Sequence, residues 1–224
     1  MTVTQLKYFS IVSSLFVATL LISNTVATKL FTIGPFIFTG GILVFPLSYI
    51  FGDVLTEVYG YARSRTIIWT GFLCLILMSL VYYIIGLLPA AAGWNNQAAY
   101  ESILGIVPRI TLASIIGYWA GEFSNSYVLA KMKIWTSGRY LWLRTIGSTI
   151  VGECLDTTFF VFLAFAGVLP SSTLVIAAVS GYLFKVLYEI VATPITYKLV
   201  AFLKKREGVD HFDHQTDFNP FKSR

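Results

Sequence analysis

The amino-acid sequence predicts an all-α polytopic membrane protein with six transmembrane helices. The chain of 224 residues is 56% hydrophobic and 12% charged, and its mean hydropathy is +0.74. Because soluble domains carry about 25% charged residues, this composition excludes a soluble fold. A helix needs about 20 apolar residues to cross a bilayer. Six such stretches can be drawn, at residues 6–28, 36–60, 66–88, 110–130, 141–169 and 173–203.

The remaining segments are short. Residues 6–28 form too long an apolar run for a signal peptide and lack a small-residue cleavage pattern, so we expect a retained helix. Trp94 and Tyr100, between the third and fourth spans, predict a short segment at the membrane surface. We expect residues 1–206 to form the transmembrane domain. Residues 207–224 should form a cytoplasmic tail that is solvated and disordered, although its aspartates and histidines superficially resemble metal ligands.

Lysines and arginines in the loops predict the orientation. If the helices alternate, one side carries Lys7, Arg63, Arg65, Lys131, Lys133, Arg139, Arg144, Lys204, Lys205 and Arg206. The other side carries Lys29 and Arg109. By the positive-inside rule both termini are cytoplasmic, as in a multi-pass protein of the bacterial inner membrane. The net charge of +5 therefore reflects contact with membrane lipids and does not indicate nucleic-acid binding.

Charged residues inside the apolar stretches predict where the function lies. A charge at the centre of a spanning helix costs roughly 2.5–3.5 kcal/mol, so such residues face a bundle interior or a watery cavity. Four pairs stand at helical spacing: Asp53 with Glu57, Glu122 with Asn125, Glu153 with Asp156, and Lys185 with Glu189. The sequence therefore predicts a polar site within the membrane.

Glu153 and Asp156 are the first candidates for substrate binding, because they lie one turn apart near the middle of the fifth span. Glu122 and Asn125, near the middle of the fourth span, are the second.

Lys185 and Glu189 in the sixth span either bridge each other as a structural ion pair or offer a ligand one donor and one acceptor. The first span contributes Asn24 and Lys29 near its outer end, where they either guard the entrance or mark the interface.

Asp53 and Glu57 lie toward the cytoplasmic side of the second span. They either act as an exit gate, with a role in proton coupling, or pair with Arg63, Arg65 or Arg144.

Two further patterns concern helix packing. Gly52–Glu57 aligns with Gly152–Thr157, which is consistent with a three-plus-three inverted repeat that places a substrate site near the midplane. The alternative is a chance match over six residues. Pro46 and Pro194 should kink their helices. The ridge of Ala113, Gly117 and Gly121 favours close helix packing, and a homodimer interface is the alternative.

Catalytic motifs are missing from the sequence. It contains no His-Glu-x-x-His, Gly-x-Ser-x-Gly, P-loop or dinucleotide-binding turn, so we expect neither an enzyme nor a cofactor. Gly52-Asp53 resembles half of an intramembrane aspartyl protease site, but Asp156 lacks the setting of the second half. Cys74 and Cys154 both fall inside spans, where we expect two small core residues and neither a disulfide nor a metal centre.

Several separated motifs resemble the queuosine-precursor transporter family, also described as vitamin-uptake transporters. They are Ile22–Lys29, Phe45–Gly60, Gly152–Thr157, Lys185–Glu189 and Asp217–Phe221. The resemblance implies import of 7-cyano- and 7-aminomethyl-7-deazaguanine across the bacterial inner membrane. It also implies an architecture similar to the substrate-binding subunits of energy-coupling-factor importers, without a required ATPase subunit.

The polar residues suit such a ligand. A guanine-like base presents adjacent donors that one carboxylate can accept, its carbonyl oxygen needs a donor, and an aminomethyl group needs a second carboxylate. Phe45, Tyr49, Trp119 and Phe159 lie near enough in sequence to stack on a planar base. Two alternatives stay open: a proton-coupled importer of another vitamin or organic cation, and a binding subunit that needs an energising partner.

Overall fold

The computed structural model describes residues 6–33, 36–105, 107–167 and 170–221. Seven α-helices follow one another: α1 Phe9–Val26, α2 Phe45–Val54, α3 Tyr61–Gly86, α4 Gln97–Leu104, α5 Val107–Trp135, α6 Leu141–Phe165 and α7 Ser171–Glu207. A hairpin of β1 Leu30–Ile33 and β2 Phe36–Thr39 separates α1 from α2. A 3₁₀ turn, Gly40–Leu43, leads into α2, and a π-helical turn, Leu55–Tyr59, ends it.

The all-α polytopic class is confirmed. Among the described residues, five helical segments are long and apolar enough to cross a membrane: Phe9–Val26, Gly40–Tyr59, Tyr61–Gly86, Leu141–Phe165 and Leu174–Glu207. Helix α5 has 29 residues, but it is not one of the five and carries Glu122, Lys131 and Lys133. The count of six spans therefore stays a prediction, as does the inverted repeat.

The predicted second span begins too early. Residues 36–39 pair antiparallel with residues 30–33, from Leu30 opposite Thr39 to Ile33 opposite Phe36. Aromatic and β-branched residues favour strands, which explains the difference. Pro46 lies in the first turn of α2, where its missing N–H is not needed, so it does not kink that helix. Helix α7 continues through Pro194. The predicted end of the fifth span, residue 169, lies outside the described residues.

Small residues let α5 and α6 approach closely. A Cβ added at Gly121 would lie 2.6 Å from Asp156 Cβ and 2.8 Å from the Gly152 oxygen, and one added at Gly117 would lie 2.8 Å from the Asp156 oxygen. Ala113, at the start of the ridge, is also buried. The ridge thus packs inside the chain, as predicted, and the homodimer stays a prediction.

The outer surfaces of the helices are apolar. Leu73 of α3 and Val191 of α7 are 66% and 78% exposed, as expected of side chains that face lipid. Both cysteines are free, but the prediction that both lie in the core is wrong. Cys154 is exposed and Cys74 is partly exposed.

The tail after α7 packs against one end of the helices, which we name the basic end because Arg65, Lys133 and Arg144 lie there. Asp213 is buried, and its carboxylate accepts hydrogen bonds from the Tyr61 N–H at 3.1 and 3.2 Å. Arg65 donates to the carbonyl oxygens of Asp217 and Asn219. The expectation of a disordered tail is therefore wrong through residue 221, since the tail supplies hydrogen bonds that helix ends lack. Residues 222–224 lie outside the described residues.

Candidate functional site

Helices α2, α5, α6 and α7 bring their acidic residues into the interior of the bundle. Asp53, Glu122, Glu153, Asp156 and Glu189 are each at most 3% exposed. The prediction that these side chains face inward is thus correct. They form two groups, and Glu57 belongs to a separate ion-pair network.

The first group, the Lys185 group, consists of Lys185 with Glu153, Asp156 and Thr157. The Lys185 ammonium lies 2.8 Å from Glu153 Oε2 and 2.7 Å from Asp156 Oδ2, and it donates to Thr157 Oγ1 at 3.3 Å. It also lies 4.4 Å from the centroid of the Phe45 ring, within the range of a cation–π interaction. One ammonium is therefore shared by two carboxylates beneath an aromatic face.

The second group, the Asp53 group, consists of Asp53, Glu122, Asn125 and Glu189. Asn125 Nδ2 donates to Asp53 Oδ1 at 2.6 Å, and Ser126 donates to Glu122 Oε1 at 3.4 Å. One alternative predicted an ion pair between Lys185 and Glu189. This alternative is wrong, because Lys185 extends from α7 to the acids of α6. Asp53 Oδ2 and both carboxylate oxygens of Glu189 have no hydrogen-bond partner among the described residues.

Glu57 lies apart from both groups, in the π-helical turn at the basic end. Its carboxylate pairs with Arg144, with Lys204 at 2.6 Å and with Lys133 at 3.5 Å. The predicted pairing with Arg144 is therefore correct for Glu57. Arg63 instead donates to the carbonyl oxygen of Tyr59 at 3.2 Å.

Asp210 of the tail extends the Glu57 network. It contacts Lys133 at 2.5 Å and Lys204 at 2.9 Å. Burial alone would raise the pKa of Asp210, but the hydrogen bonds from these two lysines outweigh it and hold that pKa below its usual range. The network therefore joins α2, α5, α6, α7 and the tail.

Asn24 and Lys29 do not reach either group. Asn24 Nδ2 donates to the Leu20 carbonyl oxygen in its own helix at 3.0 Å, and Lys29 is exposed beside the hairpin. Their positions fit the interfacial alternative better than a place in the buried site.

Two of the four aromatic candidates lie at the acids. Phe45 covers Lys185, and the Tyr49 ring lies 5.7 Å from the Phe45 ring. Trp119 packs instead against Phe123, and Phe159 is 42% exposed.

In the sequence, Lys133 and Lys204 indicate only the orientation of the chain, and their pairing with Glu57 was not predicted. Local sequence could not reveal a partner that lies 76 or 147 positions away along the chain. Among the described residues, no group of three or more acidic, histidine or cysteine side chains is arranged to hold a metal ion.

Long apolar helices that enclose buried, partly neutralised acids are the architecture of a membrane transporter. Residues 39–199 match the family described as "Putative vitamin uptake transporter". The chain belongs to this family of transporters, and it is not an enzyme.

Two curated relatives carry more specific names. A Bacillus subtilis (strain 168) protein named "Probable queuosine precursor transporter" is 34% identical over 146 residues, which are 65% of this chain and 64% of that protein. An Escherichia coli (strain K12) protein named "Queuosine precursor transporter" is 30% identical over 157 residues, 68% of each. The match thus spans about two thirds of each relative. No solved structure matches the chain significantly.

Proposed function

We propose that this protein imports the queuosine precursors 7-cyano-7-deazaguanine and 7-aminomethyl-7-deazaguanine across the bacterial inner membrane. The names of the two relatives support this substrate class. The observation that carries the proposal is the Lys185 group, which offers a planar polar ligand two acceptors and one donor beside Phe45.

The chemistry of the ligand fits this group. A guanine-like base has a ring N–H and an amino group that one carboxylate, Glu153 or Asp156, can accept together, while its carbonyl oxygen can accept from Lys185. The base would then replace one of the two ion-pair contacts of Lys185. Glu122 of α5, whose Oε2 has no hydrogen-bond partner among the described residues, offers a further acceptor for the aminomethyl cation.

The proposal includes an orientation and an organisation of the chain. The residues before α1 and the end of α7 meet at the basic end, because the backbone N–H groups of Lys7 and Tyr8 donate to Glu207. The positive-inside rule places that end in the cytoplasm. Residues 1–206 form the transmembrane domain, residues 207–224 the tail, and no energising subunit is needed.

The test is accumulation of each labelled precursor in cells that cannot synthesise either, with guanine and biotin as competitors. We expect saturable uptake that only deazaguanines inhibit. Uptake at the level of cells without the protein, despite membrane expression, would reject the proposal. Inhibition by biotin, or uptake of another cation, would favour the vitamin importer instead.

Glu153→Gln should weaken this uptake, because an amide turns one acceptor of the base donors into a donor. We expect about tenfold weaker apparent affinity, the effect of losing one charged hydrogen bond. Glu101→Gln is the matched control, because Glu101 lies exposed on α4. Equal uptake by the two variants at limiting substrate would remove Glu153 from the site.

A further inference from the structure

Asp53 of α2 and Glu189 of α7 are buried without a cation partner among the described residues, unlike Glu153 and Asp156, and the two helices that carry them pack against each other. Both residues are at most 1% exposed. Asp53 Oδ2, Glu189 Oε1 and Glu189 Oε2 lack hydrogen-bond partners in the described part of the chain. The remaining oxygen, Asp53 Oδ1, accepts from Asn125 at 2.6 Å. A buried carboxylate with both oxygens unpartnered is costly, so something else must satisfy it.

The charged groups around this pair are acidic or already engaged. Asp53 interacts electrostatically with Glu189, with Glu122 of α5 and with Glu57, one turn along its own helix. Helix α1, which also packs against α2, contains no titratable side chain.

The nearby bases pair elsewhere. Lys185 lies one turn before Glu189 on α7, but its ammonium is bound by Glu153 and Asp156 of α6. Lys133 and Lys204 at the basic end pair with Glu57. No base among these is free to neutralise Asp53 or Glu189.

We propose that Asp53 and Glu189 form a proton-binding site that couples proton entry to substrate uptake. A proton shared between two carboxyl groups removes one negative charge and supplies an O–H donor to an unpartnered oxygen. The coupling would run through α7, because Lys185 and Glu189 lie on this one helix. A movement of α7 that admits substrate at Lys185 would change the separation of Glu189 from Asp53. The identity of the substrate that is coupled to the proton rests on the proposed function.

The test uses the purified full chain in proteoliposomes and 7-cyano-7-deazaguanine, which is neutral, so that membrane potential does not act on the substrate itself. With the membrane potential clamped, an inside-alkaline difference of one pH unit should support about tenfold accumulation for one proton per substrate. Substrate addition should also acidify the lumen, as reported by an enclosed pH-sensitive dye. A pH gradient without effect on a protein that exchanges substrate, or accumulation driven by a sodium gradient, would overturn the inference.

Glu189→Gln separates coupling from binding. We expect this variant to keep exchange of labelled for unlabelled substrate within about twofold, and to lose the tenfold accumulation. Glu153→Gln should impair both, and Glu101→Gln neither. Undiminished proton-driven accumulation by Glu189→Gln would refute the site. A wild-type protein that exchanges no deazaguanine would reject the proposed function.

A second measurement needs no substrate. The infrared absorption spectrum of the wild-type protein at neutral pH should contain the C=O stretch of a protonated carboxylic acid. This band should shift or disappear in Glu189→Gln and in Asp53→Asn, and stay unchanged in Glu101→Gln. An identical band in all of these proteins would refute the site, whether or not the substrate is a deazaguanine.

Discussion

Replacing Lys185 with methionine should destabilise the bundle more than any substitution of a single acid beside it. The side chain of Lys185 is 12% exposed, and it pairs with carboxylates at 2.8 and 2.7 Å. Its removal leaves Glu153 and Asp156 buried side by side without a cation. Removal of one partner from a buried ion pair costs about 3–5 kcal/mol. We expect the free energy of unfolding of Lys185→Met to fall by this amount.

The substitution Glu153→Gln should partly rescue Lys185→Met, because it removes one of the two stranded charges. In the wild-type background the same change should cost only about 1–3 kcal/mol, since Lys185 keeps Asp156. The two effects should therefore be non-additive by at least about 1 kcal/mol. Tryptophan fluorescence during denaturation in mixed micelles measures all four proteins of this cycle.

Two results would contradict this account. If Lys185→Met unfolds at the same denaturant concentration as the wild type, the ion pairs contribute nothing. If the double variant shows the sum of the single effects, Glu153 and Lys185 do not interact in the folded protein. Lys185→Arg serves as the control that keeps the charge.

The remaining predictions concern helix packing and the tail. Gly121→Leu should lower the stability by about 1–3 kcal/mol through overpacking against Asp156, seen as an earlier unfolding midpoint than in Gly181→Leu, where an added Cβ would come no closer than 3.8 Å to Thr157. Asp213→Ala removes the acceptor for the Tyr61 N–H, so tail docking should weaken by about 0.5–2 kcal/mol, seen as faster proteolysis of the tail. The pKa of Asp210 is lowered in the folded protein, so the stability that its ionised carboxylate contributes is present above the ordinary aspartate pKa. It should be lost as the pH falls through the lowered value, and quenching of tryptophan fluorescence at the basic end should then change.

The inward orientation of the acids was predictable because the membrane leaves few alternatives. A charge in a long apolar helix must avoid lipid, so Glu122, Glu153 and Asp156 had to face the interior. The packing of Gly117 and Gly121 was predictable for a similar reason, since small residues at helical spacing permit close approach. Each of these predictions needs only the spacing of residues within a single helix.

Pairing between helices was not predictable in the same way. The choice of Lys185 between Glu189 on its own helix and the acids of α6 depends on how α7 is rotated against α6. The capping of Tyr61 by Asp213 joins residues 152 positions apart. Such contacts depend on tertiary packing, and a charged tail with few apolar residues resembles a disordered one in composition.

The buried acids differ in how completely they are neutralised, and this order suggests a division of roles along α2 and α7. Glu57 at the basic end meets three bases, so it is an element that holds the ends of the helices together. Glu153 and Asp156 share Lys185, which leaves them able to exchange one ion pair for a ligand. Asp53 and Glu189 have no base within the described structure, so a proton is the simplest species that stabilises them. A transporter needs a fixed end, an exchangeable binding site and a source of coupling, and the proposed function assigns these three needs to three sets of acids with different counter-charges.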